Sequence, residues 1–170
     1  NEVFWVARDI TTRKKAEEDL QKFKLGIDQT TDAVFITDGD GNITYANPGF
    51  EKVYGYSQAE VLGKNPRLIM PEMTGEENEQ TPEALPGKQT TSGEIITKAR
   101  DGHLVSIAAT NSPIIDENGD ILGYLAVHHD ITSIKHTEDL IKRRNEYLSA
   151  TAEIGRLVTS TLDMNTLFSR

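Results

Sequence analysis

Apolar and polar residues alternate along this chain with three different periods, and the changes of period divide it. Over residues 12–29, Ala16, Leu20, Phe23 and Ile27 stand among Arg13, Lys14, Lys15, Glu17, Glu18, Asp19, Lys22 and Lys24. Steps of four, three and four residues between apolar positions predict a helix with one apolar seam. Ala33-Val34-Phe35-Ile36-Thr37 then predicts a strand, and Ile43-Thr44-Tyr45-Ala46 its returning partner. Between them, Asp38-Gly39-Asp40-Gly41-Asn42 is a turn of residues that tolerate positive φ. Asn47-Pro48 opens a helix carrying Phe50, Val53 and Tyr54 and ending at Gly55, since Asn accepts from free N–H groups and Pro suits a first turn. Ser57 caps a short helix with Val61 and Leu62 that stops at Gly63.

Pro66, Pro71, Pro82 and Pro86 interrupt residues 64–92, leaving a helix over 75–85 only weakly specified. Three strands follow, over 93–99, 103–115 and 121–129, joined by the turns Arg100-Asp101-Gly102 and Asp116-Glu117-Asn118-Gly119-Asp120. Two strands, several short helices and three strands predict an α+β domain, a five-stranded antiparallel sheet with helices on one face. Phe50, Tyr54, Leu62, Leu68 and Ile69 are expected to face Ile36, Tyr45, Ile95, Thr97, Ile107, Ala109 and Val127 across the concave side. Such an apolar layer serves a packed core or a small-molecule cavity alike. If it is a cavity, its lining is Asn65, Leu68, Ile69, Thr97, Ile107, Ala109 and Val127.

The third period is seven. In a helix expected over 132–161, Ile134, Ile141 and Leu148 recur at that spacing, as do Leu140, Tyr147 and Ile154, a pattern that favours a partner helix; Lys142, Arg143 and Arg144 interrupt it.

A self-similarity joins the two ends. Asp9-Ile10-Thr11 superposes on Asp130-Ile131-Thr132, with Val6 on Val127, Lys14 on Lys135 and Glu17 on Glu138. Both copies read as a strand running into a polar helix. The chain is therefore expected to comprise the tail of one module (1–11), a linker helix (12–29), one whole module (30–131) and an exit helix (132–161). Thr11 and Thr132 are expected helix caps, and Asp9 and Asp130 place negative charge beside a positive helix end. These four residues are the expected signal joint, with Arg100 as a sheet partner for Asp130.

Charge and composition narrow the chemistry. Asp and Glu number 27 against 18 Lys and Arg, which argues against a nucleic-acid surface. The absence of cysteine excludes disulfides, thiolate nucleophiles and Cys-based metal sites. No run of 18 apolar residues is present, so this segment is expected in the cytoplasm without membrane contact, any anchor lying elsewhere in the parent protein. No G-x-S-x-G, H-E-x-x-H or phosphate-loop motif occurs, so no catalytic residues are assigned, and Glu76, Glu77, Glu79 and Glu83 read as a solvated acidic face. His128 and His129 point to opposite faces of one strand, His103 follows a turn, and no carboxylate is spaced to complete a site; no metal is expected.

Five segments in order resemble a PAS domain, the sensor module of bacterial signalling proteins. They are Ile36-Thr37-Asp38 to Ile43, Tyr45-Ala46-Asn47-Pro48-Gly49-Phe50, Gly55-Tyr56-Ser57 to Gly63-Lys64, Arg100-Asp101-Gly102, and Gly123-Tyr124 to Asp130-Ile131-Thr132. The resemblance implies a sensory and signal-relay module of a multidomain receptor such as a histidine kinase, homodimeric through flanking helices, with Ala16, Leu20, Phe23 and Ile27 as the dimer seam. Its alternative is a flavin- or haem-bound redox or oxygen sensor. Gly63-Lys64-Asn65-Pro66-Arg67 lies where photosensory relatives carry a reactive cysteine; Pro66 replaces it, so no flavin–cysteinyl adduct can form. Flavin relatives often carry Trp before the third strand and Asn within it, where this chain has Thr91 and Thr97, so flavin is not favoured. Haem relatives take a histidine from a position equivalent to the region of Asn78, and residues 1–102 contain none. His136 does not stand in a kinase phosphoacceptor context. Residues 150–170, with Asp163 capping a next helix, resemble the start of a GAF module.

Overall fold

The computed structural model describes residues 2–70 and 87–167, with side chains placed over 12–70, 87–154 and at 156. The chain forms two units, 1–131 and 132–170. In the first, α1 (Glu2–Gln29) leads into the hairpin β1 (Ala33–Asp38) and β2 (Ile43–Ala46), then α2 (Pro48–Tyr54), α3 (Gln58–Val61) and a single 3₁₀ turn, Pro66–Ile69. The strands β3 (Thr91–Lys98), β4 (Leu104–Ile115) and β5 (Ile121–Asp130) complete it. The five strands make one antiparallel sheet in the order β2-β1-β5-β4-β3, so the expected α+β plan holds. The second unit is α4 (Thr132–Leu167).

Pairing register decides which residues face the helices. Ala33 pairs with His128, Phe35 with Ala126 and Thr37 with Tyr124. On the far side of β5, Ala109 pairs with His128 and Asn111 with Ala126. These residues, with Ile95, Thr97, Val105 and Ile107, form the inner face under Phe50, Tyr54, Val61 and Ile69. Ile36, Tyr45 and Val127, expected on this face, belong to the opposite one, where Ile36 pairs with Tyr45 and Val34 with Val127. The error is one of phase. Apolar residues occupy consecutive positions in β1 and β5, so alternation there does not choose a face, and a one-residue shift turns every side chain over. Leu62, also expected inside, is 46% exposed, because α3 ends at Val61 and the backbone leaves the helix there.

Asn47 fixes α2 on the sheet. Its Oδ1 accepts from Val34 N at 2.8 Å and Phe50 N at 2.9 Å, and its Nδ2 donates to Ile27 O and Asp32 O, each at 2.9 Å. The expected cap is thus also a tie to β1 and to the end of α1. Gly49 sits beneath it; a Cβ there would stand 2.1 Å from Asp32 O, so no other residue fits without moving the backbone. Gly55, at φ 74°, closes α2 through a bond from its N–H to Glu51 O.

Residues 2–11 correct the sequence reading. They are helical and continuous with the rest of α1, so Asp9-Ile10-Thr11 is not a strand-to-helix boundary. A strand needs a neighbour for its N–H and C=O groups, and all five strands described here pair within the sheet above; a helix satisfies those groups internally. At the other copy, β5 does end at Asp130, but Thr132 is the first helical residue and not the one before it. Towards the C-terminus α4 continues unbroken to Leu167, so Asp163 lies inside a helix and opens no new one. The helix expected over 75–85 and its acidic residues lie outside the described residues.

Asn47→Ala should destabilise the first unit by about 3–5 kcal/mol, since it removes a helix cap and strands buried backbone donors and acceptors. Urea unfolding of the two proteins measures this; a loss below about 1 kcal/mol would mean that water replaces the amide.

Candidate functional site

Between the inner face of the sheet and the 3₁₀ turn lies a cavity of about 430 Å³. Its lining is graded. At the end nearest the β1–β2 turn stand Thr37, Asp40, Gly41, Asn65, Arg67 and Tyr124, of which Asp40, Asn65 and Arg67 are exposed and mark the opening. Further in are Phe35, Ile69, Ile95, Asn111, Ala126 and His128. The short turn carrying Asn65 is set by the chain itself: Asn65 Oδ1 accepts from Arg67 N at 3.0 Å, and Pro66 suits the first helical position. Gly63 N–H donates to Ile43 O and Ile43 N–H to Lys64 O, which anchors the approach to this turn on β2.

Two polar groups on the wall are buried. Thr37 is 6% exposed and its Oγ1 has no partner. His128 is 2% exposed, and its Nδ1 lies 2.6 Å from the Tyr54 hydroxyl. The ring also meets Phe35 edge-on, with centroids 5.0 Å apart. Burial pushes His128 down from 6.5 to about 4, so it is neutral at pH 7. Burial pushes the Tyr54 hydroxyl up well beyond its ordinary range, and the charge of Asp130 adds to this.

Of the residues expected to line a pocket, Asn65 and Ile69 do so. Leu68 packs against the core from its edge, while Thr97, Ile107 and Ala109 are buried in close packing beside the cavity; Val127 is on the other face of the sheet. Phe35, Thr37, Tyr124, Ala126 and His128 were not foreseen as lining. The one signal available was Gly123, where a Cβ would meet Thr37 O at 2.0 Å. A glycine inside a strand marks close backbone approach, and it would have placed β5 against β1 and so set the phase.

Other expectations resolve locally. Arg100 pairs with Glu60 at 2.9 Å and lies over the Tyr56 ring at 5.8 Å, so Asp130 is not its partner. His129 points outward to Asp32 at 2.7 Å, and His103 pairs with Asp101. No group of three or more His, Asp or Glu able to hold a metal occurs among the described residues. On α1, Leu20 and Phe23 are 70% and 72% exposed, Ala16 is exposed and Ile27 half-buried. Ile134, Leu140, Ile141, Tyr147, Leu148 and Ile154 of α4 are exposed as well. No helix among the described residues is long and apolar enough to cross a membrane.

An antiparallel sheet that cradles short helices over a ligand-sized hollow defines a sensory class of domain, and the chain belongs to the PAS fold family, whose profile matches residues 21–131. The nitrogen fixation regulatory protein of Klebsiella pneumoniae is 38% identical over 112 residues, which span 65% of this chain and 22% of that protein. The methanogenesis regulatory histidine kinase FilI of Methanothrix harundinacea is 24% identical over 132 residues, 78% of this chain and 15% of that kinase. The crystal structure of a PAS domain from Colwellia psychrerythraea aligns with a TM-score of 0.59 at 30% identity, covering 67% of this chain and 98% of that one. The chain thus spans less than a quarter of the regulator and of the kinase. PAS is a sensory domain, and its occurrence in histidine kinases and other regulators supports a signalling role here.

The buried imidazole makes stability depend on pH. Above pH 6.5 His128 is neutral in both folded and unfolded chains. Between pH 6.5 and about 4 the unfolded chain takes up a proton that the folded one refuses. Stability therefore falls as the pH drops through that window, by about 3 kcal/mol in total. Urea midpoints from pH 7.5 to 4.5 should show the slope, and His128→Phe should flatten it; an unchanged slope in the variant would assign the effect elsewhere.

Proposed function

We propose that the first unit senses a small molecule held in the cavity and relays its presence, through β5, to α4 and an output domain of a larger receptor such as a sensor histidine kinase. The cavity carries this reading. It combines an apolar interior with a few convergent polar groups, one of them a buried hydroxyl left without a partner, as small-molecule sites do. The chain has no cysteine, so an occupant is held without a thiol bond. The chain itself performs no catalysis in this reading; catalytic output belongs to the parent. We place residues 150–170 with a following GAF module, on the strength of the resemblance there. The parent's flanking sequence decides this, and a flank without GAF character would end it.

Ala126→Phe tests the cavity against a packed core. Ala126 is on the cavity wall and Ala109 in the packing beside it. Ala126→Phe should abolish ligand binding and change stability by less than about 1 kcal/mol, whereas Ala109→Phe should cost about 1–3 kcal/mol by overpacking. Equal, large losses in both variants would make the hollow part of the core.

Two copies pair in parallel through α1 and α4, whose exposed apolar rows would otherwise face water. Leu20→Glu with Phe23→Glu should halve the mass of the chain in sedimentation equilibrium; an unchanged dimer rules out this seam.

Asp130 is the joint at which a change in the sheet becomes a change in a helix. Asp130→Ala in the full-length receptor should leave fold and dimer intact while output becomes locked or lost. Normal regulation in that variant would reduce Asp130 to a local helix-start residue.

A further inference from the structure

The two buried polar side chains on the cavity wall differ in what they can still offer. His128 Nδ1 is engaged by the Tyr54 hydroxyl at 2.6 Å. A phenol releases its proton more readily than a neutral imidazole N–H, and an imidazole nitrogen is the stronger base, so Tyr54 donates and Nδ1 accepts. The ring proton then resides on Nε2, for which no partner is found among the described residues. Tyr54 is itself held in place by α2, whose Phe50 packs against it with ring centroids 4.8 Å apart.

Thr37 stands elsewhere along the same face. It pairs with Tyr124, and Tyr124 and His128 are four residues apart on β5, which separates the two sites by roughly 13 Å. Phe35, Ala126 and the cross-strand partner of Ala126, Asn111, lie between them, with Ile69 above. The charged lining residues, Asp40 and Arg67, are both at the open end, so no charged residue of the cavity lining stands at His128.

We infer that the cavity selects an elongated, mainly apolar molecule that is uncharged at its inner end, presents a hydrogen-bond acceptor there to His128 Nε2–H, and carries a polar group towards its outer end for the Thr37 hydroxyl. This rests on the ligand-binding reading of the cavity given above. A hydroxyl serves donor or acceptor, so the selective contact is the inner one.

The test uses quinoline, whose ring nitrogen accepts, and naphthalene, which has the same shape without an acceptor. In the 170-residue chain with ¹⁵N-labelled histidine at pH 7.5, the His128 ring should be neutral with its proton on Nε2, and quinoline, unlike naphthalene, should shift that nitrogen. The ratio of quinoline to naphthalene affinity should fall roughly three- to tenfold in His128→Phe, the size of one neutral hydrogen bond. The ratio cancels the difference in hydrophobicity between the probes. Thr37→Val should leave quinoline affinity unchanged within roughly twofold, because a bicyclic ring at the inner end falls short of a site ~13 Å away. A proton on Nδ1, equal shifts from both probes, or a ratio unmoved by the substitution would overturn the acceptor assignment, while naphthalene binding would still uphold the cavity. A larger effect of Thr37→Val would overturn the assignment of ends. Binding of neither probe would overturn the cavity reading and this inference together. If His128→Phe fails to fold, the wild-type tautomer and the quinoline shift decide.

Discussion

The side-chain amide of Asn47 is the constraint on which the rest of the first unit depends. It uses both of its protons and accepts two bonds, and its four partners come from three places: the last turn of α1, the segment before and within β1, and the first turn of α2. A carboxylate could accept both bonds but donate neither, and a hydroxyl has one proton. With α2 fixed, Phe50 and Tyr54 are delivered to the middle of the sheet, Phe50 against Phe35 with centroids 5.5 Å apart. The location of the hollow then follows, since these rings fill one part of the concave face and leave the region under the 3₁₀ turn open.

The second organising element is the His128–Tyr54 pair. An imidazole inside an apolar layer is costly unless its nitrogens are met, and Tyr54 meets one of them from across the layer. Phe35 covers the ring edge-on. What would otherwise be a defect in the core becomes a neutral, partnered imidazole at the inner end of the cavity. The pair also couples α2 to the last strand, four residues before α4 starts, so the helix that caps the sheet and the strand that leaves it share one hydrogen bond.

Much of this was legible in the chain. Hairpin turns rich in Asp, Gly and Asn, the Asn-Pro and Ser-x-x-Glu caps, and the order of strands and helices report local conformation, and local chemistry decided them. Ser57 and Glu60, for example, form the reciprocal capping box that their spacing allows. The cavity was only partly legible. Asn65 and Ile69 belong to a short turn fixed by its own residues, so they were found. The strand residues were not, because Val34-Phe35-Ile36 and Leu125-Ala126-Val127 offer an apolar side chain on either face. Only pairing between the first and last strands, remote in sequence, sets the choice. The Asp-Ile-Thr repeat misled for a related reason: the same three residues end a strand where a sheet is present to pair it and continue a helix where none is.

That pairing has a mechanical side. Ala33, the first residue of β1, is the cross-strand partner of His128, two residues before β5 ends, so the chain enters and leaves the sheet at the same end of one antiparallel ladder in its middle. Tension drawn between the two ends of the unit does not shear that ladder along its length. It loads the pair at one end and opens the hydrogen bonds in succession, as a zip opens, beginning with the bonds beside His128. A module so built yields to small forces at the point nearest its buried imidazole, while the hairpin and the β3–β4 edge stay unloaded until the central seam has parted.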